Sequence, residues 1–137
     1  MKQLIYRSQP FGFDQAMLAG ILSDARRCNE RDNITGALLC RHDLYLQLIE
    51  GPELAIDAAY ARISRDHRHC EVNLLFSDTA SERMFPHWRM LDDQSPSLAW
   101  SAEAVAGGAL EAADREDLLA VFQKLAARTA IPDASGS

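Results

Sequence analysis

Residues Gln3 to Ser8, at the start of the chain, hold an apolar run from Leu4 to Tyr6 between polar residues, and this strand-like pattern predicts a first β-strand. Leu4 and Tyr6 would lie together on one face of that strand, because successive side chains point to opposite faces. Pro10 and Gly12 then break the pattern. The chain therefore opens with a strand that places a tyrosine beside apolar neighbours.

A helix is predicted next, beginning at Asp14, whose carboxylate can accept hydrogen bonds from free backbone N–H groups. Phe13 and Leu18 fit a hydrophobic staple across this helix start. The polar run from Asn29 to Asn33 ends it. The apolar residues recur at helical spacing and form one stripe, which consists of Leu18, Ile21, Leu22, Ala25 and Cys28.

Two apolar runs follow, Ile34 to Cys40 and Leu44 to Ile49, separated only by the polar residues 41–43. So short a connection predicts two antiparallel strands. A second helix opens at Gly51-Pro52, with proline at its first position. Its buried stripe would consist of Ile56, Ala59, Tyr60 and Ile63.

The second helix ends near Asp66 to His69, and two further strands are predicted over Val72 to Phe76 and Trp88 to Leu91. The resulting order is that of an α+β protein with the ferredoxin-like arrangement βαββαββ. We expect a mixed sheet that carries two helices on one face.

The character of the sequence changes after Asp92, so we divide the chain into a first domain, 1–92, a helical extension, 93–130, and a loose tail, 131–137. Helices are predicted from Ser95-Pro96 to Ala106 and from Leu110 to Arg128. The second helix has an apolar stripe that would either cover the open face of the sheet or bind a partner: Leu118, Val121, Phe122 and Leu125.

Composition narrows the class of protein. The chain has 137 residues, 47% of them hydrophobic and 25% charged, which suits one globular domain. A net charge of −6 disfavours nucleic acid and anionic membranes as partners. Apolar runs stay well short of the roughly 20 residues that span a bilayer, and no signal-peptide pattern occurs, so we expect a cytoplasmic location. Three widely spaced cysteines without a CxxC or HExxH pattern predict neither disulfides nor a metal site.

Gln47 is an anomaly, because apolar residues surround it in its strand. Burying an amide without partners costs on the order of 2–7 kcal/mol. Gln47 would therefore face solvent, bond to backbone, or present its donor and acceptor to a buried polar ligand. The sequence pattern alone leaves these alternatives open.

Tyr6 could pack as a core aromatic whose hydroxyl finds some partner. The first and third strands are adjacent in this fold, however, so Tyr6 and Gln47 can touch if both face the helices. Asn29 would by default cap the end of the first helix. Arg62 and Asp66, four residues apart, would by default form a surface ion pair of small energetic value.

Five segments in register resemble the BLUF family, the blue-light sensors that use flavin. The resemblance covers roughly residues 2–92. The matching segments are Leu4-Ile5-Tyr6-Arg7-Ser8; Asn29 with Ile34-Thr35-Gly36-Ala37-Leu38-Leu39; Tyr45-Leu46-Gln47-Leu48-Ile49-Glu50-Gly51-Pro52; Tyr60-Ala61-Arg62-Ile63 with Asp66 and Arg68-His69; and Arg83, Phe85-Pro86 and Trp88-Arg89-Met90.

The resemblance implies a non-covalent flavin between the two helices, FAD in the first place, with FMN or riboflavin as alternatives. Asn29 would bond the edge of the isoalloxazine ring, and Gln47 would bridge Tyr6 and the flavin. Light would draw an electron and a proton from Tyr6 and leave the Gln47 amide rotated or tautomerised. The flavin absorption would then shift to the red and recover in darkness.

The resemblance also implies that Arg62 and Arg68 reach polar parts of the cofactor or its phosphates, with Asp66 orienting Arg62. Where many members carry Asn or His beside the asparagine, this chain has Cys28. One flavin contact is then lost or replaced, which bears on flavin affinity.

Trp88 and Met90 are the predicted signal relay. They would alternate on the fifth strand with both side chains on one side, or else serve as plain core packing. Since the extension holds only two predicted helices, the resemblance implies no catalytic output. It implies instead a separate signalling partner, or self-association into a homodimer.

Two other classes of function are compatible with the fold. One is a small-molecule hydrolase of the acylphosphatase type, although the chain lacks a glycine-rich phosphate loop after the first strand. The other is a dimerisation module without a cofactor. A flavin spectrum in the purified protein separates the sensor from both.

Overall fold

The computed structural model describes residues 1–10, 15–66, 69–94, 96 and 98–129. The strands are β1 (Lys2–Pro10), β2 (Thr35–Arg41), β3 (Leu44–Gly51), β4 (His69–Thr79) and β5 (Leu91–Asp93). The helices are α1 (Gln15–Asp32), α2 (Glu53–Ser64), α3 (Ala102–Ala106), α4 (Ala109–Ala112) and α5 (Arg115–Arg128). The predicted cap and staple at Asp14 and Phe13, the side chain of Arg68 and the tail lie outside the described residues.

The five strands form one sheet in the order β4-β1-β3-β2-β5. β1 is antiparallel to both of its neighbours, and β5 is parallel to β2. The α+β fold and the mixed ferredoxin-like sheet predicted from the sequence are thereby confirmed. In this order β1 and β3 each pair with a strand on both edges, and most of their residues are buried.

Two hydrophobic clusters lie on opposite faces of the sheet. The cleft-side cluster joins Leu4 and Tyr6 of β1 to Leu18 and Leu22 of α1 and to Ile56 of α2. The far-side cluster joins the other face of the sheet to the stripe of α5, which includes Leu118, Phe122 and Leu125. Because the apolar residues of each strand alternate between these clusters, helices cover both faces of the sheet.

The fifth strand differs from its prediction. Pairing with β2 begins at Ala37 opposite Leu91 and ends at Asp93, so Trp88 and Met90 precede the strand. Side-chain donors on α1 hold the carbonyl groups of Arg89 and Met90. The segment therefore runs along α1 before it joins the sheet edge, and the predicted strand from Trp88 to Leu91 is wrong in its bounds.

The C-terminal helices also differ from their predictions. The helix expected from Ser95-Pro96 begins only at Ala102, because Ser101 is its N-cap and accepts a hydrogen bond from the Ala104 N–H at 3.1 Å. The helix predicted from Leu110 to Arg128 is divided into α4 and α5. The backbone is extended at residues 113 and 114, which separate α4 from α5.

Candidate functional site

Tyr6 and Gln47 stand directly opposite each other on the two central strands β1 and β3. The Tyr6 hydroxyl donates a hydrogen bond to the Gln47 Oε1 atom. Only 2% of Tyr6 and 5% of Gln47 is exposed. A solvent-facing Gln47 is therefore wrong, and the antiparallel register is what brings the two side chains together.

The other end of the Gln47 amide faces Met90. Its Nε2 atom donates to the Met90 Sδ atom at 3.2 Å. A thioether sulfur accepts weak hydrogen bonds and donates none. Met90 therefore favours the amide orientation in which the nitrogen faces the sulfur and the oxygen faces Tyr6.

Burial raises the pKa of the Tyr6 phenol far above its ordinary value, and the nearby Asp66 carboxylate raises the pKa further. The ring of Tyr60 lies edge-on to the Tyr6 ring, with centroids 5.8 Å apart. Because a phenolate would be costly here, Tyr6 stays a neutral hydrogen-bond donor at all ordinary pH values.

A cleft of about 180 Å³ lies between α1 and α2 above this pair. Its floor consists of Tyr6, Gln47 and neighbouring sheet residues. Its apolar lining, from the helices and the sheet together, consists of Ile21, Leu22, Ala25, Leu38, Ile49 and Ile63. Its polar lining consists of Asp24, Arg27, Cys28, Asn29, Arg62 and Asp66. A flat ring with one polar edge suits such a site.

Asn29 is buried in the cleft, where its Nδ2 atom donates to the Arg89 carbonyl oxygen at 2.6 Å. The helix runs on to Asp32, so a C-terminal cap at Asn29 is wrong. Asn33 instead takes the left-handed conformation after the helix, with φ of 59°. Asn29 can thus serve the cleft because the last helical turn lies beyond it.

Arg62 and Asp66 both line the cleft, and their contact with a flavin stays a prediction. Arg62 Nη1 lies 3.9 Å from the Asp32 Oδ2 atom at the end of α1, which places the guanidinium at the mouth between the two helices. The orienting of Arg62 by Asp66 stays a prediction. Arg68 lies outside the described residues.

Met90 and Trp88 lie on opposite sides of the sheet. Met90 is buried in the cleft-side cluster, whereas Trp88 is partly buried against the far-side cluster. The expectation that both face one side is wrong. The reason is that residues 88–90 precede β5, so the side-chain alternation of a strand does not apply to them.

Sequence reasoning missed Asp24 and Arg27 of the cleft and Arg26, which binds the Met90 carbonyl. Helical spacing could have placed Asp24, because it lies three residues after Ile21 and four before Cys28. Spacing also places Arg26 beside the stripe, four residues after Leu22, but nothing in the sequence pairs it with the Met90 carbonyl. Among the described residues, no group of histidine, cysteine or carboxylate side chains is arranged to hold a metal ion. The described helices also lack the length and hydrophobicity of a membrane-spanning segment.

A family model described as "Sensors of blue-light using FAD" matches residues 1–91. The beta subunit of a photoactivated adenylate cyclase from Euglena gracilis is 35% identical over 83 residues, which are 60% of this chain and 10% of that protein. The blue light- and temperature-regulated antirepressor BluF of Escherichia coli strain K12 is 35% identical over 83 residues, 60% of this chain and 21% of that protein. The matches thus span a small part of each curated relative.

Solved structures extend the likeness beyond residue 91. The dark state of BlrB, a BLUF protein, is 29% identical with a TM-score of 0.76, and the match covers 93% of this chain and 96% of that one. A bacterial light-regulated adenylyl cyclase is 34% identical with a TM-score of 0.65, covering 67% of this chain and 27% of the cyclase. The first comparison includes most of the C-terminal helices as well as the sheet.

Proposed function

The chain belongs to the BLUF family of flavin-dependent blue-light sensors, and from this premise we propose that Tyr6 and Gln47 form its light-operated switch. The observation that carries the proposal is the buried Gln47 amide, bonded to a phenol at one end and a thioether at the other. Neither a hydrolase nor a dimerisation module without a cofactor needs this arrangement. Both alternatives are therefore set aside.

The donor set of the cleft fits a flavin. Apolar walls suit the faces of a flat ring system, and the amides of Gln47 and Asn29 suit its polar edge. Arg27 and Arg62 line the same cleft, and Arg68 follows α2, so cationic side chains are available for phosphate groups. On this basis we assign FAD as the cofactor, with FMN and riboflavin as the alternatives.

A bound flavin supplies an electron acceptor when it absorbs blue light. Tyr6 is the electron donor of the cleft, and its proton already rests in a hydrogen bond to Gln47. Since a neutral phenol that loses an electron becomes a strong acid, the Tyr6 proton would pass to the Gln47 amide when the phenol gives up an electron. Return of the electron and the proton to Tyr6 would leave the amide rotated or tautomerised.

Rotation of the Gln47 amide has a consequence at Met90. A rotated amide turns its oxygen toward the Met90 sulfur, which cannot donate a hydrogen bond. Met90 must then move or leave its position, and the segment that carries it moves as well. Met90 is thus the first relay of the signal, and Trp88, packed on the far side, is the relay toward the C-terminal helices.

We assign the sensor to residues 1–92 and its output to the extension 93–130. We assign no catalytic role to the chain. It acts in the cytoplasm on a separate signalling protein, and a homodimer is the alternative assembly. The Euglena and bacterial cyclases join a matching segment to a much longer protein. We propose a separate signalling protein as the partner that the same segment controls here.

The test is a spectrum of the purified protein, loaded with flavin where necessary, before and after blue light. We expect a bound flavin whose absorption bands shift to the red and return in darkness. A protein that binds no flavin, or that binds it without a reversible shift, would exclude the proposed function.

A further inference from the structure

Arg26 is an exposed arginine of α1 that reaches the segment before β5. We infer that Arg26 is a positioning residue, which holds Met90 where its sulfur meets the Gln47 amide. The inference deepens the proposed function and rests on it, because the position of Met90 matters through the switch. Arg26 itself does not line the cleft.

Two nitrogen atoms of the Arg26 guanidinium share one carbonyl oxygen as their acceptor. Arg26 Nε and Nη2 donate to the Met90 carbonyl oxygen at 3.1 and 3.0 Å. The Nη2 atom also lies 2.9 Å from the Asp92 Oδ1 atom. One planar guanidinium therefore bonds the backbone before Leu91 and the Asp92 side chain after it, at the junction where the segment enters the sheet.

The same residue, Met90, is thus held from two directions. Its backbone is bonded to α1 through Arg26, and its sulfur accepts from Gln47 on β3. A change at the amide can move the segment only if the hydrogen bonds from Arg26 to the Met90 carbonyl oxygen break or rearrange. Arg26 consequently sets how readily Met90 leaves Gln47, and so the relative stability of the dark arrangement.

An alternative role for Arg26 is that of a surface ion pair with Asp92 that only stabilises the fold. Its side chain is 47% exposed, and exposed ion pairs of this kind contribute little to stability. The two roles differ in one respect. A general stabilising effect is independent of the Met90 sulfur, whereas a positioning effect disappears when the sulfur is absent.

The experiment is a double-mutant cycle on the full chain with Arg26→Ala, Met90→Leu and the double variant. The matched control is Arg128→Ala, because Arg128 forms a similar exposed ion pair, 2.9 Å from Asp93, on the far side of β5. The first readout uses protein without flavin: the ¹³C methyl resonance of Met90, assigned by its loss in Met90→Leu.

We expect Arg26→Ala to shift or broaden the Met90 methyl resonance and Arg128→Ala to leave it in place. In flavin-loaded protein, Arg26→Ala should change the rate of dark recovery roughly two- to fivefold. The same substitution should have no further effect in the Met90→Leu background.

An unchanged Met90 resonance in Arg26→Ala, or an equal change of recovery rate with and without the Met90 sulfur, would overturn the inference. A loaded wild-type protein without any red shift would instead overturn the proposed function. The methyl resonance would still decide the role of Arg26, so the two failures are distinguishable.

Discussion

A buried amide needs a partner for its oxygen and another for its nitrogen, and Gln47 finds them in Tyr6 and Met90. These partners are not equivalent. The Tyr6 hydroxyl can donate or accept, whereas the Met90 sulfur only accepts. If the amide rotates, the Tyr6 hydroxyl can still form a hydrogen bond with it, whereas the Met90 sulfur cannot donate to the amide oxygen. The proposed switch therefore has a preferred orientation in the dark.

Replacing Tyr6 with phenylalanine removes the electron and proton donor and leaves the Gln47 oxygen without its partner. We expect Tyr6→Phe to bind flavin but to lose the reversible red shift. Its free energy of unfolding should fall by about 1–3 kcal/mol. Absorption spectroscopy and denaturant titration measure the two effects.

Tyr45→Phe is the matched control, because Tyr45 is a buried tyrosine in the same cleft-side cluster but does not line the cleft. This variant should keep the normal shift. A normal photocycle in Tyr6→Phe, or an equal loss in Tyr45→Phe, would contradict the role of Tyr6.

Several residues of the cleft could be identified from the sequence, and the reasons for success and failure are physical. Gln47 stood out because an amide interrupts an apolar strand, and Tyr6 because it shares a face with Leu4. Their contact required the strand register, for which the family resemblance supplied the expectation. Arg26 could not be found, because its function depends on a carbonyl 64 residues away.

At the scale of elements, β2 and β3 lie unusually close at Gly36. A Cβ atom at this position would lie 2.1 Å from the Leu48 carbonyl oxygen. The Gly36 N–H also donates to the Trp88 carbonyl oxygen at 3.0 Å. The absence of a side chain at Gly36 thus lets β2 approach β3 and hold the relay segment at the same point.

Gly36→Ala should force the two backbones apart and cost about 1–3 kcal/mol of unfolding free energy. Gly107→Ala is the control, since a Cβ atom there comes no closer than 3.5 Å to its neighbours. Denaturant titration compares the two variants. Equal stability of both proteins would show that the close approach at Gly36 is not required.

The sequence predicted the first six elements, from β1 to β4, in their order, because each has a clear period and a clear break. It failed where tertiary contacts determine the ends of elements. The start of α3 depends on the Ser101 cap, and the entry into β5 depends on donors from α1. Neither contact is visible in local periodicity.

At the scale of the whole molecule, the sheet separates a switch on one side from the C-terminal helices on the other. Residues 88–90 connect the two sides, since Met90 belongs to the cleft-side cluster and Trp88 to the far-side cluster. Phe122 of α5 packs edge-on against Phe85, with ring centroids 6.4 Å apart. A displacement of residues 88–90 would therefore reach α5 through Trp88, which packs against the cluster that contains Phe85 and Phe122.

The buried core also makes the fold sensitive to alkali. Burial raises the pKa of the Cys40 thiol to about 12, with the carboxylates of Asp92 and Asp93 adding to the effect. An unfolded chain loses this proton from a pH of about 8.5. The unfolded state then binds fewer protons than the folded state, so stability falls as pH rises through this window.

We expect Cys40 alone to lower the free energy of unfolding by up to about 1.4 kcal/mol per pH unit in that range. Cys40→Ala should show a shallower decline than the wild type, as measured by denaturant titration at several pH values. Cys70→Ala, which removes a partly exposed thiol, controls for the loss of a thiol as such. Parallel declines in wild type and Cys40→Ala would contradict the assignment.

The central claim is that light changes the Gln47 amide, and isotope labelling tests it most directly. The measurement is the light-minus-dark infrared difference spectrum of flavin-loaded protein with and without ¹⁵N in the glutamine side chains. We predict difference bands that move with the label in the wild type and are missing in Gln47→Leu, which should still bind flavin. The absence of any label-sensitive difference band in the wild type, or label-sensitive bands that persist in Gln47→Leu, would contradict the account.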